Sequence, residues 1–300
     1  MAYLYYLDVD MDDKVLEKAS VNWFPGHMTK AKRTMETVLP SCDMVIELRD
    51  ARAPFSCANP LIQQLTQNKI KLIILTKSDL ADPACLKRCM ELLSDETTKV
   101  ISSSSLVKFN KKEIVNASLE LMKPKHDKQK AKGIRPRATR AMVCGIPNVG
   151  KSTFINHMKG KRTLVAENRP GVTQSITWLS VDSQLDLCDT PGMLWPKFDN
   201  QKIAIHLALI NAIKQSIIDP YELASEGMRI FMRYYPQGLM DRYPNFDSNH
   251  PFESIAKANG CDINKAYQVF INDLNNHRLG KVSYEGHLCC LLYTSDAADD

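Results

Sequence analysis

Three short motifs in an unusual order constrain this chain more than anything else in its 300 residues. TKSD (76–79) precedes GIPNVGKS (145–152), which precedes DTPG (189–192). Each follows a short apolar run, as a loop at the end of a β-strand does. A conventional P-loop domain opens on its glycine-rich phosphate loop and reaches its base-reading loop last. Here the cyclic order is kept and the starting point is moved. The fold expected is α/β: a circularly permuted P-loop domain on a mostly parallel sheet, followed by an all-α C-terminal domain.

The rest of the chain fits that layout. Apolar runs over 43–48, 71–75, 99–101, 141–144, 176–181 and 185–188 read as strands, and 83–94, about 111–122 and 153–158 as helices. Strands alternating with helices indicate a parallel sheet, whose ligands gather at the carboxyl ends of the strands. After Pro196 the texture becomes helical, with apolar residues at helical spacing over 202–218, 221–235 and 263–274. The expected organisation is an acidic extension over 1–20, a permuted nucleotide domain over 21–198 and a helical domain over 199–287. Residues 123–140 form a basic linker broken by Gly133 and Pro136, with eight Lys/Arg against Asp127 alone. The segment CLLYTSDAADD (290–300) reads as the in-frame translation of a sequencing adapter and is set aside from fold reasoning.

Bulk properties exclude more than they assign. A net charge of +5 on a 44% hydrophobic chain does not by itself demand a nucleic-acid partner, but the basic strip is a local exception. It reads as phosphate contacts or as a solvated linker. Nine cysteines without a CxxC pair or zinc spacing point to free thiols in a reducing compartment. No apolar run reaches the roughly 20 residues of a membrane span. The acidic start resembles neither a signal nor a transit peptide. A cytoplasmic, bacterial-type location is expected, with the mitochondrial matrix as the alternative.

The motifs carry specific chemistry. Gly145, Gly150, Lys151 and Ser152 satisfy GxxxxGK[ST]: backbone N–H groups over 148–153 (Asn148, Val149, Gly150, Thr153) cradle phosphates, Lys151 reaches the β- and γ-phosphates, and the Ser152 hydroxyl ligates Mg²⁺. Asp189 at a strand end holds Mg²⁺ through water, Thr173 supplies a second hydroxyl, and Gly192 brings its N–H to the γ-phosphate. The Asp79 carboxylate accepts from guanine N1–H and its amine, a donor pair adenine lacks. Thr76 stands where Asn is usual, so base affinity is expected to be lower; Lys77 accompanies it. Ser103 and Ser104 are the expected N–H donors to guanine O6, the register within 102–105 being open. Met193 stands where Ras-type enzymes carry a water-positioning Gln. Either turnover is slow or another residue supplies that role, unless Met193 simply packs beneath the loop.

Together with WFPGHMTKAKR (23–33), DARAP (50–54), KGIRPRA (132–138), NRPGVT (168–173), DTPGMLWPKF (189–198), YYPQGLMDRY (234–243) and RLGKVS (278–283), these motifs resemble the YlqF/RbgA-type circularly permuted GTPases. The resemblance covers about residues 21–285. It implies a large-subunit ribosome assembly factor, slow alone and stimulated by the particle, that binds in the GTP form and leaves after hydrolysis. It implies His27 as the residue assisting hydrolysis in place of the missing Gln, and Asn148 as a potassium ligand beside Mg²⁺. It implies GTP and GDP, the large-subunit precursor and its rRNA as partners, no membrane, and a monomer off the ribosome. The rival readings are a nucleotide-gated rRNA scaffold with negligible turnover, and a signalling GTPase or an ATP-using relative.

Overall fold

The computed structural model describes residues 25–159, 178–195, 198 and 200–287, with the side chains of 25–28 left aside. Six strands form one sheet: β1 (Met44–Asp50), β2 (Ile70–Thr76), β3 (Thr98–Ser103), β4 (Thr139–Gly145), β5 (Trp178–Ser180) and β6 (Leu185–Asp189). Their order is β3-β2-β1-β4-β6-β5, parallel throughout except for β5, which runs antiparallel to β6 at one edge. The helices are α1 (Pro25–Val38), α2 (Pro60–Leu65), α3 (Pro83–Leu93), α4 (Lys111–Ala131) and α5 (Lys151–Met158) in the sheet region. Beyond it come α6 (Gln201–Leu209), α7 (Pro220–Tyr234), α8 (Pro236–Arg242), α9 (Pro251–Asn259) and α10 (Ile263–Asn275).

The register sets the site. Asp50 pairs with Thr76 and Thr76 with Ser103, so β1, β2 and β3 end level. On the other side Leu48 pairs with Gly145 and Val143 with Asp189. All three motifs therefore leave the sheet along one edge, and the moved starting point is a matter of connection alone. Central β1 is buried along its whole length although it carries Glu47, Arg49 and Asp50. The charges are tolerated because they are paired: Arg49 donates to both Glu47 oxygens, at 2.8 and 3.0 Å, and Gln63 donates to the same carboxylate.

Two elements differ from the sequence expectation. The helix expected over 111–122 runs on to Ala131, so half of the basic strip is the last turns of α4 and not an irregular linker. Pro124 lies inside it, at the cost of the N–H that would reach back one turn and of ring crowding against that turn. The Lys, Gln and Ala that follow are strong helix formers, and Lys128 and Lys130 complement the carboxyl end of the dipole. The strip ends its helix just before Gly133, at φ +73°. The single helix expected over 202–218 instead stops at Leu209. Asn211 follows in the left-handed region, and a short 3₁₀ turn occupies Gln215–Ile217.

One apolar cluster spans both regions, joining Ile46, Leu48 and Ile74 of the sheet with Ile205, Leu207, Phe231 and Leu274 of the helices. Cys42, Cys57, Cys89, Cys144, Cys188 and Cys261 are free thiols. Among the described residues no helix is long and apolar enough to cross a membrane.

Candidate nucleotide site

At the base-reading end, β2 delivers Thr76 and turns at Lys77, which has φ +56°. The Lys77 ammonium is 2.9 Å from Asp50 Oδ2 and donates to the Asn148 carbonyl at 3.2 Å. Asp50 also accepts from Arg52 Nε and Nη2 at 2.9 and 2.8 Å. Burial alone would raise the Asp50 carboxyl; the Arg52 hydrogen bond and the Arg52 and Lys77 charges outweigh it and hold it below the ordinary carboxylate range. The Thr76 hydroxyl lies 2.8 Å from the Val149 carbonyl and 3.1 Å from that of Arg49. Where Asn is usual at the head of this motif, a buried hydroxyl ties the end of β2 to the phosphate loop.

Asp79 accepts from the Ser105 backbone N–H and, at 2.7 Å, from the Ser105 hydroxyl. Against a burial cost, these bonds hold its carboxyl below the usual range. Ser103 is the last residue of β3, its carbonyl taking the Ser78 N–H. The Ser104 hydroxyl accepts from the Leu106 N–H. Ser105 is the residue that meets Asp79, and four identical side chains in a row gave no signal to single it out.

At the phosphate end, Gly145 leaves β4 with φ +148°, and a Cβ there would sit 2.6 Å from the Leu48 carbonyl oxygen. Only glycine fits. Gly150 at φ +92° starts α5, whose first turn carries Lys151, Ser152 and Thr153. Val149 is buried beneath the loop. Lys151 Nζ is 3.0 Å from Asp189 Oδ1, which joins the GKS and DTPG motifs directly. A Cβ on Gly192 would meet the Pro147 backbone at 3.3 Å, so the two loops touch. Met193 is 1% exposed, packed with Met35, Cys188 and Trp178. Its N–H donates to the Gly145 carbonyl and its carbonyl accepts from Asn59 Nδ2 at 2.7 Å. It packs under the loop, and Asn59, unnoticed in the sequence, is what holds it there.

Asn148, at φ +61°, donates its Nδ2 to the Asn211 carbonyl at 2.9 Å. Arg52 donates to the preceding carbonyl, Ile210, at 3.2 Å. The carboxyl end of α6 thus rests on the site through two consecutive carbonyls. His27 lies in the first turn of α1, with its side chain outside what is described, and Thr173 lies outside the described residues.

The family described as 50S ribosome-binding GTPase matches residues 140–225, which contain the phosphate loop and DTPG but not TKSD. Ribosome biogenesis GTPase A of Bacillus pumilus is 38% identical over 277 residues, covering 89% of this chain and 98% of that protein. The chain belongs to the ribosome biogenesis GTPase A family. The Bacillus cereus member is 40% identical over 277 residues, covering 88% of this chain and 93% of its own. Mitochondrial ribosome-associated GTPase 1 of Mus musculus is 30% identical over 261 residues, covering 82% of this chain and 78% of its own. The crystal structure of GNP-bound YlqF from T. maritima is similar with a TM-score of 0.58 at 27% identity, covering 85% of this chain and 97% of that one.

Proposed function

We propose that this chain is a GTP-hydrolysing assembly factor for the large ribosomal subunit, docking on its precursor in the GTP form and leaving after hydrolysis. The observation that carries this reading is the convergence of Asp79, Lys151 and Asp189 along one sheet edge in a ribosome biogenesis GTPase A fold. Asp79 reads guanine; Lys151 and the N–H groups of 148–153 hold the phosphates. The Ser152 hydroxyl, Asp189 carboxylate and Thr173 hydroxyl are hard oxygen donors of the kind Mg²⁺ takes, and the ion would neutralise phosphate charge there.

Asn148 suits a potassium ion on similar grounds. A carbonyl only accepts, so the Asn148 amide nitrogen must face Asn211 and its oxygen is left as an acceptor. The contacts of α6 with Asn148 and Arg52 give the nucleotide a physical route to the helical region. Exposed Lys123, Lys128, Lys130, Lys132 and Arg135 offer phosphate contacts to rRNA; Lys125 and Arg137 of the same strip pair with Asp43 at 2.7 Å.

Met193 favours the second reading, a nucleotide-gated rRNA scaffold, because a buried thioether cannot orient water. His27 would supply that function in the first reading. GTP turnover with and without large-subunit particles, in potassium and in sodium, tests the proposal. Strong stimulation by particles, lost in His27→Ala under single-turnover conditions, is expected. An unchanged rate leaves only the scaffold, and salt-steep rRNA binding would then be its remaining support.

A further inference from the structure

The chain after α10 returns across the sheet. Val282 N–H donates to the Leu80 carbonyl at 3.0 Å and Tyr284 N–H to the Arg52 carbonyl at 2.8 Å. Ser283 N–H donates to the Tyr235 hydroxyl at 3.0 Å, and a Cβ on Gly286 would press on the Tyr234 ring at 3.0 Å. At the end of this strap Glu285 is 0% exposed. Its Oε2 accepts from the Phe55 N–H at 3.0 Å; its Oε1 accepts from the Ser56 N–H at 2.6 Å and the Ser56 hydroxyl at 2.7 Å.

A fully buried carboxylate is costly, and an apolar side chain would cover the same area without that cost. What the carboxylate does, and an apolar group cannot, is fix two consecutive backbone N–H groups in direction. The loop so fixed, between β1 and α2, begins with Asp50, which pairs with Lys77, and with its second partner Arg52. The other strap bonds fall on Arg52 itself and on Leu80, the neighbour of Asp79. Among the described residues, these bonds from the strap to the sheet region land on segments adjoining the base-reading residues.

We propose that Glu285 is a positioning residue for guanine recognition, acting through the 50–58 loop and the Leu80 carbonyl on Lys77 and Asp79. The inference rests on the reading of Asp79 as the guanine acceptor. It assigns the last element of the helical region to base selection, apart from the contact of α6 with the phosphate loop.

The test compares GDP, IDP and ADP affinities of the full chain by calorimetry. Inosine lacks the guanine amine, so the GDP-to-IDP ratio reads the Asp79 contact itself. In Glu285→Gln one oxygen becomes a donor facing an N–H donor. GDP binding should weaken about tenfold, the loss expected for one charge-assisted bond, and the GDP-to-IDP ratio should narrow, with turnover at saturating GTP unchanged. Equal weakening of GDP and IDP, or wild-type affinity for both, overturns the proposal. Ser56→Ala, which removes one of the three bonds and leaves the backbone N–H pair, should shift the same ratio by a smaller factor. Should Glu285→Gln not fold, an unmoved ratio in Ser56→Ala is decisive against it. A wild-type chain that takes GDP, IDP and ADP alike overturns the guanine reading, and the inference with it.

Discussion

The two ends of the nucleotide site are built by different means. At the base-reading end, charged groups are buried and bonded: Asp50 pairs with Arg52 and Lys77, and the enclosed Glu285 takes the Phe55 and Ser56 N–H groups. At the phosphate end the side chains meant for chemistry are more open. Asp189 is 48% exposed at its side chain and Lys151 is its ion-pair partner, while Ser152 and Thr153 face outward. Selection of the base is thus a property of the folded core. The groups proposed for catalysis are left where ligand and partner can rearrange them.

That contrast can be broken most forcefully at the phosphate end. Lys151→Ala should lower GTP turnover by more than about 10³-fold, since it removes the fixed positive charge at the β- and γ-phosphates, yet leave thermal unfolding nearly unmoved. A large drop in Tm would mean this end is structural too. Asp50→Ala makes the opposite demand. Leaving Arg52 buried without its partner should cost about 3–5 kcal/mol in chemical denaturation, and guanine affinity should fall with it. Because the folded Asp50 carboxyl lies below the ordinary range, its contribution is present above about pH 4 and lost as pH falls below it. The wild-type acid-unfolding curve should therefore lose that step in Asp50→Asn.

Next in size, Asp79→Ala should weaken GDP binding about 100-fold, for two charge-assisted bonds, without affecting ADP. Met193→Gln tests whether the buried thioether is an idle relic of a catalytic position. It should restore no turnover and cost about 1–3 kcal/mol for an amide enclosed among Met35, Cys188 and Trp178. Faster hydrolysis in that variant would undo the case for His27. The smallest effect belongs to Asp189→Asn, where loss of a half-exposed ion pair should change stability by less than about 1 kcal/mol. Its turnover should nevertheless fall sharply, which is the comparison in miniature.

Strands and motifs were legible because their signals are local: an apolar run, a glycine pair, a carboxylate at a strand end. The parallel sheet and the permuted order followed from those alone. The continuation of α4 was hidden by Pro124 and Gly133, which read as breakers although one is accommodated and the other lies past the helix end. The short helices α8 and α9 begin at Pro236 and Pro251, residues that read equally well as punctuation. In the site, Ser105 was hidden among identical neighbours. Asn59, Asn211 and Glu285 were hidden for a different reason: each meets its partner across 63 to 230 residues, and a lone polar side chain in a sequence looks like surface.

The strap has a consequence for synthesis. Residues 44–80 leave the ribosome early, while the carboxylate that orders the 50–58 loop lies 230 residues beyond Phe55 and is added only when the helical region is complete. Until then, the half of the molecule that selects guanine lacks its final bonds. A nascent chain halted in α10 would hold all three nucleotide motifs and still discriminate poorly between bases. On the proposed role of Glu285, competence to choose a nucleotide is acquired late in translation, after all three motifs are already made.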